Sequence, residues 1–524
     1  FYGATGFDNG GQFMTSWRPR SCTDMSGMFR SAHAFNKTIN AWGPSLSGVK
    51  LFKDMFRYAS TFNRALDTWD VSSATTLNNM FLEAFDFNQD LNNWDVSNVK
   101  EFDYMFQHAR SFNNGRLPAS DPLAAVDDFT WDISSGETLR WMFTHWDLNL
   151  SPALGVFNQR LRNWNFENAY SVRNFLQGQT HFNTPLNNEG ITLSNCRDTS
   201  SMFQGCTSFN QNLDLWDMSN CENMSSMFST CLSFNNGGSN TLSAWNIEKV
   251  KSMRFFMDMA NGTNSVLTLN LDALKPKACT SFGYMFRNCS AFNTPLSSWG
   301  DYISTDLDDT SFMFSGCKDF NQDLTLWGPR LSSLRNMDAM FASCSAFNNG
   351  DVVGGSSKPL DWDLYSAENI SRCFQRCTTF NQSLSHWGNK LGNVKTVNST
   401  FAIAGQYNQD LSSWGPYMSA CTDFQSAFFS AVSFNNSLAN WDIRNANSCR
   451  DMLDTNPFYG SMSFSSVNYD DMLNGWAYTA DNVGVNQNVE LTIAGNITRS
   501  NNSLIAYNKL VNDYNWDITD GGLV

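Results

Sequence analysis

The chain is poor in the groups by which most functions announce themselves. Of its 524 residues, 34 are Lys or Arg against 49 Asp or Glu, a formal net charge of −15. Such a surface repels polyanions on average, and no run of basic residues interleaved with aromatics makes a local exception, so nucleic acid is not an expected partner. Long apolar runs are also missing: no stretch of about 18 apolar residues is present to cross a bilayer as a helix. The N-terminal "FYGATGFDNGGQF" has neither the basic region nor the apolar core of a signal peptide. Because the sequence opens on Phe1 rather than Met, it is expected to be a processed or partial product, with any targeting segment or anchor lying outside it.

Catalytic signatures are equally scarce. The five His (His33, His108, His145, His181, His386) fall at scattered positions with no HExxH, nucleophile elbow or phosphate loop beside them, so no catalytic or cofactor-binding residue is nominated. A polysaccharide-acting enzyme remains an alternative only because paired acids have no readable spacing among 49 carboxylates. The 13 Cys contain no CxxC pair and no CxxC…HxxxH pattern, and neither an EF-hand loop nor a GGxGxD repeat occurs, so no metal site is expected.

What the chain has instead is one phrase, repeated. "SMFQGCTSFNQNLDLW" (201–216), "MFRYASTFNRALDTW" (55–69), "MFLEAFDFNQDLNNW" (80–94) and "MFSGCKDFNQDLTLW" (313–327) are variants of it. With the Phe of "MF" as position zero, a small residue recurs at +3, Phe at +6, Asn at +7, Leu at +10 and Trp at +13. Phe56, Ala59, Phe62, Asn63, Leu66 and Trp69 fit without a gap, as do Phe203, Cys206, Phe209, Asn210, Leu213 and Trp216. Copies recur about every 25–29 residues, in the range of leucine-rich-type solenoids, and some fifteen or sixteen fill the chain. With 43 Phe and 18 Trp there is ample apolar surface to bury. No single copy can bury its own Phe, Leu and Trp, whereas stacked copies bury each column against itself.

Upstream of zero, Val99, Phe102, Met105, Phe106 and Ala109 follow a 3-then-4 spacing, which predicts a helix of roughly ten residues in each copy. Downstream, "FNQDL" is brief, aromatic-led and bounded by turn formers, which predicts a short strand. The expected fold is therefore an α/β repeat solenoid, leucine-rich-repeat-like, with one short strand and one short helix per repeat.

The phrase "MFxxCxxFNQxLxxWDVSNVxxM" resembles the repeats of the BspA-type leucine-rich repeat family of surface proteins. The tail "YDDMLNGWAYTADNVGVNQNVELTIAGN" ending "LVNDYNWDITDGG" is similar to the segment that closes such arrays. The resemblance implies secretion, a right-handed leucine-rich-repeat-like solenoid, and a role in adhesion or surface structure. Two copies depart from the phrase: the one near Met257 lacks FN and Trp, and the one at Phe175 lacks Trp.

Each recurring column has a structural and a functional reading. The Trp column (Trp42, Trp69, Trp94, Trp216, Trp299, Trp327, Trp387, Trp414, Trp441) is expected in the core, the alternative being a ladder of sugar platforms. The Asn column (Asn63, Asn88, Asn210, Asn321, Asn408) is expected to satisfy backbone groups at a bend rather than to line a groove. Cys at +3 alternates with Ala, and Cys at −7 (Cys196, Cys221, Cys279, Cys421) alternates with Val, so small buried free thiols are expected. Cys196 with Cys221, and Cys206 with Cys231, lie one copy apart and could be bridged in an oxidising compartment. Asp after Trp (Asp70, Asp95, Asp217, Asp442) and in "FNQD" (Asp90, Asp323, Asp410) is expected to cap turns rather than bind calcium, since Gly300 and Gly328 replace it in some copies. N-glycosylation acceptors are possible at Asn149, Asn223, Asn261, Asn288, Asn369, Asn398, Asn496 and Asn501. The sequons at Asn36, Asn381 and Asn435 occupy the Asn column, where a buried side chain would exclude a sugar.

Three copies read "FNNG" and then lengthen, from Asn114, Asn236 and Asn349. Leaving from one point of the repeat, these insertions should emerge on one side, and that side is the candidate contact surface; neutral, tolerated insertions are the other reading. The expected division is a repeat array over 1–457, with its frame legible from Phe13, and a capping segment over 458–524. At the other end Phe13 and Trp17 approximate the Leu and Trp positions, so the chain enters in mid-repeat, and either more sequence or a docked molecule is expected to cover it. The expected function is that of a secreted, non-catalytic protein at the cell surface that binds other proteins or glycans. The rival is a structural subunit that stacks head to tail on copies of itself into an extracellular filament.

Overall fold

The computed structural model describes residues 1–116, 128–145, 155–186, 192–259 and 268–524. It forms two compact units, Phe1–Val250 with Phe256–Gly262, and Lys251–Phe255 with Thr263–Val524. Both are built on the same local motif.

The ten-residue helix expected in each copy does not form, and no α-helix occurs among the described residues before Ser466. In the copy centred on Phe106, the amides of Met105, Gln107 and Ala109 donate three residues back, to Phe102, Tyr104 and Phe106 (3.2, 3.2 and 3.0 Å). The alternate amides of Phe102, Tyr104, Phe106 and His108 point out of the copy and donate to Thr138, Arg140, Met142 and Thr144 of the next (2.8–3.0 Å). Tyr104 and His108 have φ of +59° and +56°, and the same two offsets are left-handed in copy after copy. A left-handed residue every fourth position breaks an α-helix. The string of tight turns that results still returns an apolar side chain to the same side every three or four residues, which is why the periodicity resembles that of a helix.

The strand expected at "FNQDL" is also displaced. Parallel bridges form five residues before zero, running Asp24, Leu51, Thr76, Glu101, Thr138, Ser171, Asp198, Asn223 in the first unit and Ser252, Ser281, Asp309, Asn336, Asn369, Thr396, Asp423, Ser448 in the second. Only Asp128 with Arg160 pairs near the "FN" segment. There the backbone is held by side chains instead. These bridges also fix the frame of the two irregular copies. Leu176 rather than Phe175 sits at zero, because its amide donates to Met202 as Phe203 donates to Met227. Met257 takes zero five residues after Ser252.

The columns stack as parallel rings. Phe56 lies 5.5 Å from Phe81, and Phe81 5.5 Å from Phe106, while each touches the Phe six residues on (Phe56 and Phe62, 4.2 Å). Trp69, Trp94 and Trp131 repeat at 6.3 and 6.1 Å. At the N-terminus Phe1 stacks on Phe29, Phe7 on Phe35 and Trp17 on Trp42. The Leu position there belongs to Met14, whose carbonyl accepts from Trp42 Nε1 at 2.9 Å, and not to Phe13, which is 78% exposed.

Among the described residues, α-helices and multi-residue strands occur only toward the C-terminus, where β1 (Cys449–Leu453), β2 (Glu490–Ile493) and β3 (Asp517–Thr519) form a parallel sheet in that order. Its first strand lies within the last repeat copy, so the sheet crosses the expected 457/458 boundary. Helix α1 (Ser466–Val483) is capped by Ser465, whose hydroxyl accepts from the Asn468 amide, and ends at Gly484. It places Trp476, fully buried, so that Nε1 donates to the Leu438 carbonyl at 3.1 Å, the bond made by every column Trp before it in this unit. Helix α2 (Leu504–Asp513) packs on α1.

Trp94 is 3% exposed and bonded to the Leu66 carbonyl at 2.9 Å. Trp94→Ala should therefore lower the free energy of unfolding by about 3–5 kcal/mol, read by denaturant melts; unchanged stability would overturn the core role of the column.

Candidate functional site

The residues of the repeated phrase are turned inward and used up. Phe56, Phe62, Leu66, Trp69, Phe203, Cys206, Phe209 and Trp216 are all 2% exposed or less. Trp Nε1 groups donate to the Leu-position carbonyl one copy earlier, as Trp387 does to Leu360 (2.7 Å) and Trp414 to Leu384 (3.0 Å), except at Trp216, whose Nε1 is buried with no partner among the described residues. Rings 3% exposed or less leave no sugar platform in this column.

The Asn column forms a ladder, half-buried at Asn63, Asn88, Asn210 and Asn321 and exposed at Asn408 and Asn435. Asn63 Oδ1 accepts from the Asn88 amide (3.0 Å), Asn88 from Asn113, Asn183 from Asn210, and Asn210 from Asn235. In the second unit Asn321, Asn348, Asn381 and Asn408 continue in the same way. Asn36 and Asn435 are also members, accepting from the amides of Asn63 and Ser465. Here the side-chain oxygen stands in for a strand carbonyl.

All thirteen Cys are free thiols, and twelve are buried. Those at +3 donate Sγ–H to the zero-position carbonyl one copy earlier, Cys206 to Leu176 (3.1 Å), Cys231 to Phe203 (2.8 Å) and Cys344 to Phe314 (2.8 Å). Burial raises their ionisation far above the ordinary thiol range. Desolvation pushes Cys196, Cys279 and Cys421 up to about 12.

The Asp columns cap turns. Asp70 Oδ1 accepts from the Ser72 amide and hydroxyl, Asp95 from Ser97, Asp217 from Ser219 and Asp442 from Arg444. Asp90, Asp323 and Asp410 accept from the amides two residues on. Where Gly replaces the Asp, the chain makes a short, six-residue 3-10 helix instead, as in Thr325–Arg330 and Ser385–Lys390. A Cβ at Gly328 or Gly388 would lie 2.4 or 2.2 Å from the next copy's carbonyl oxygen. No group of three His, Cys, Asp or Glu among the described residues could hold a metal ion.

Of the sequons, Asn149 and Asn261 lie outside the described residues. Asn223 and Asn369 cap the turns at Ser225 and Ser371, and Asn398 bonds to Asp423. Asn288 is left-handed with φ +62°. Asn496 and Asn501 are exposed.

The insertions share one hinge. Gly115, Gly237 and Gly350, all left-handed, donate their amides to the ladder residues Asn88, Asn210 and Asn321 at 2.8–2.9 Å. Most of the first insertion lies outside the described residues. The second folds tightly back, with Asn236 fully buried and bonded to Asp214 and Thr241. The third, 349–358, is an ordered loop. Asp351 accepts from the amides of Val352 and Ser357, from the Ser357 hydroxyl and from Gln382. The Ser357 amide is the largest influence holding that carboxyl down at about 2. Asn348 Nδ2 clamps the carbonyls of Val352 and Gly355. The loop thereby presents Val352 and Val353, 73% and 68% exposed, beside Lys318, Asn321 and Thr379.

Sequence reasoning missed the aromatic residues at −2. Tyr104 stacks on Trp141 at 4.9 Å, and Phe255, Tyr284 and Phe312 stack at 4.5 and 4.7 Å, all left-handed and, in the second set, half-exposed. The signal was present in "YMF", "WMF" and "FMF", where the residue before Met is bulky instead of Ser, Asn or Ala.

A family model described as Mycoplasma protein of unknown function, DUF285, matches four tandem segments, residues 1–119, 125–240, 237–354 and 355–464. No curated protein and no solved structure matches the chain.

Three outcomes follow from the buried columns. In native protein a water-soluble disulfide reagent should titrate Cys22 alone, the one half-buried thiol, and all thirteen after denaturation without reductant; fewer in the denatured chain would reveal bridges. Thiols ordinarily ionise near 9.0, whereas Cys196, Cys279 and Cys421 stay neutral to about 12, so stability should be full below pH 9 and fall between about 9 and 12 as unfolded thiols ionise. Tyr407, at a Phe position, buries a hydroxyl with no partner among the described residues. Tyr407→Phe should stabilise the protein by about 1 kcal/mol or more, and a loss of stability would show that the hydroxyl is satisfied.

Proposed function

Since the chain belongs to that tandem-repeat family, we propose that it is a repeat solenoid acting as a secreted, non-catalytic protein of the cell surface, which binds proteins or glycans through an extended face. The observation that carries this reading is the 349–358 loop. It is held at its first end by the Asn ladder, at its far end by Gln382 and Asn349, and internally by Asp351, and it spends that order on displaying two exposed valines. Binding residues concentrate on loops positioned by a rigid scaffold, and an apolar tip fixed in advance loses little entropy when covered. The parallel bridges and stacked columns within each unit support the solenoid. The likeness of the "MF…FNQ…W" phrase to the BspA-type family supports the surface location. Among the described residues the recurring Asn, Asp and Cys are committed to backbone bonds, which favours binding over catalysis.

Biotinylation of intact cells with a membrane-impermeant reagent should label the chain without lysis; labelling only after lysis would overturn the surface location. Beads coated with the chain should adhere to those cells, and adhesion should fall several-fold for Val352→Ser/Val353→Ser. Absence of adhesion by the native chain would overturn the binding role.

A further inference from the structure

In the first unit, the residue three places after the Trp position is Ser or Glu in the described copies from Ser45 to Glu248. In the second unit the same place reads Lys277, Tyr302, Arg330, Tyr365, Lys390 and Tyr417 in successive copies, cation and tyrosine by turns. These residues meet in space. Lys275 and Lys277 lie over the Tyr302 ring at 5.0 and 5.9 Å, Arg330 donates to the Asp301 carbonyl beside it, and Lys390 lies over Tyr365 at 5.9 Å. Three copies then open a groove of about 670 Å³ lined by Asp361, Ser385, His386, Asn389, Lys390 and Tyr417. The groove exists because Gly388 and Gly415 replace the turn-capping Asp, so that each copy rises in a 3-10 turn above its Trp. Tyr417 at its edge is 41% exposed and Tyr365 is 52% exposed.

We propose that this face is a subsite for a neutral linear glycan, with Tyr417 and Tyr365 taking the apolar faces of sugar rings. Planar aromatic rings beside amide, carboxylate and hydroxyl groups offer both the C–H-binding surface and the paired donors and acceptors that vicinal sugar hydroxyls need. The lysine of the groove is already paired, Lys390 with Asp363 at 2.6 Å, and His386 Nδ1 lies 3.4 Å from Asp361. A groove whose one lysine is ion-paired, on a chain of net charge −15, favours an uncharged polymer over a polyanion. The two exposed tyrosines stand two copies apart, and the neighbouring Trp rings repeat at 6.1 and 5.8 Å, so the spacing suits successive residues of an extended chain rather than one monosaccharide.

This inference rests on the reading of the chain as a surface binding protein, and the test separates the two. Cellohexaose, laminarihexaose and mannohexaose are titrated calorimetrically against the full chain and against Tyr417→Ala and Asp361→Ala, whose unchanged melting temperatures serve as the folding control. At least one hexasaccharide should bind, with little dependence on salt, and each variant should weaken it about tenfold. Binding by none of the three, or binding unchanged in both variants, would overturn the subsite while leaving bead adhesion and surface labelling to decide the wider reading. Tighter, steeply salt-dependent binding of polygalacturonate or poly(U) would overturn the neutral ligand in favour of a polyanion.

Discussion

Within each unit, everything depends on every second amide of the turn string being handed to the next copy. Half of the N–H groups close turns inside their own copy, and the other half reach carbonyls of the neighbour at about 2.8–3.0 Å. A copy taken alone would leave that second set unpaired, at a cost of about 1–3 kcal/mol for each group buried without a partner. Copies therefore hold only in company, and the rise that the bonds impose is the same at every column. Because that rise is fixed, Phe must stack on Phe and Trp on Trp.

The column identities then follow from what each position is asked to do. Where an amide faces a neighbour with no carbonyl at the right height, Asn supplies one from its side chain, and Asn88 both accepts from Asn113 and donates its amide to Asn63. Where space between rings is small, Ala or Cys fits, and the thiol returns a weak bond to a zero-position carbonyl. Where the left-handed turn is followed by a close approach of the next backbone, only Gly serves, as at Gly237, whose Cβ would lie 2.7 Å from the Asn212 nitrogen. The regular positions are thus consumed by architecture, and chemistry open to a partner is found at the departures from it. The 349–358 loop, the 3-10 turns that replace Asp caps and the bulky left-handed residues at −2 are all such departures.

The sequence by itself determined the frame. Offsets of +3, +6, +7, +10 and +13 are visible in Phe56 to Trp69 and map onto columns buried to 2% exposure or less, with the Asn at their edge. The turn-capping duty of Asp70 was legible too, because local side-chain-to-backbone bonds depend on near neighbours in the chain, and the shared departure point of the insertions was legible in the repeated FNNG itself. The tertiary structure decided what depends on the partner copy. Apolar residues three and four apart cannot tell an amide that bonds four residues back from one that bonds the next copy, so Val99 to Ala109 resembled a helix. A one-place shift of zero from Phe175 to Leu176, or of the Leu position from Phe13 to Met14, is decided by which carbonyl faces which amide, and both choices are apolar in sequence. The meeting of Lys390 with Tyr365 and Tyr417 lay beyond reading for the same reason: residues 25 and 27 places apart become neighbours only when the rise between copies is set by bonds that no single repeat contains.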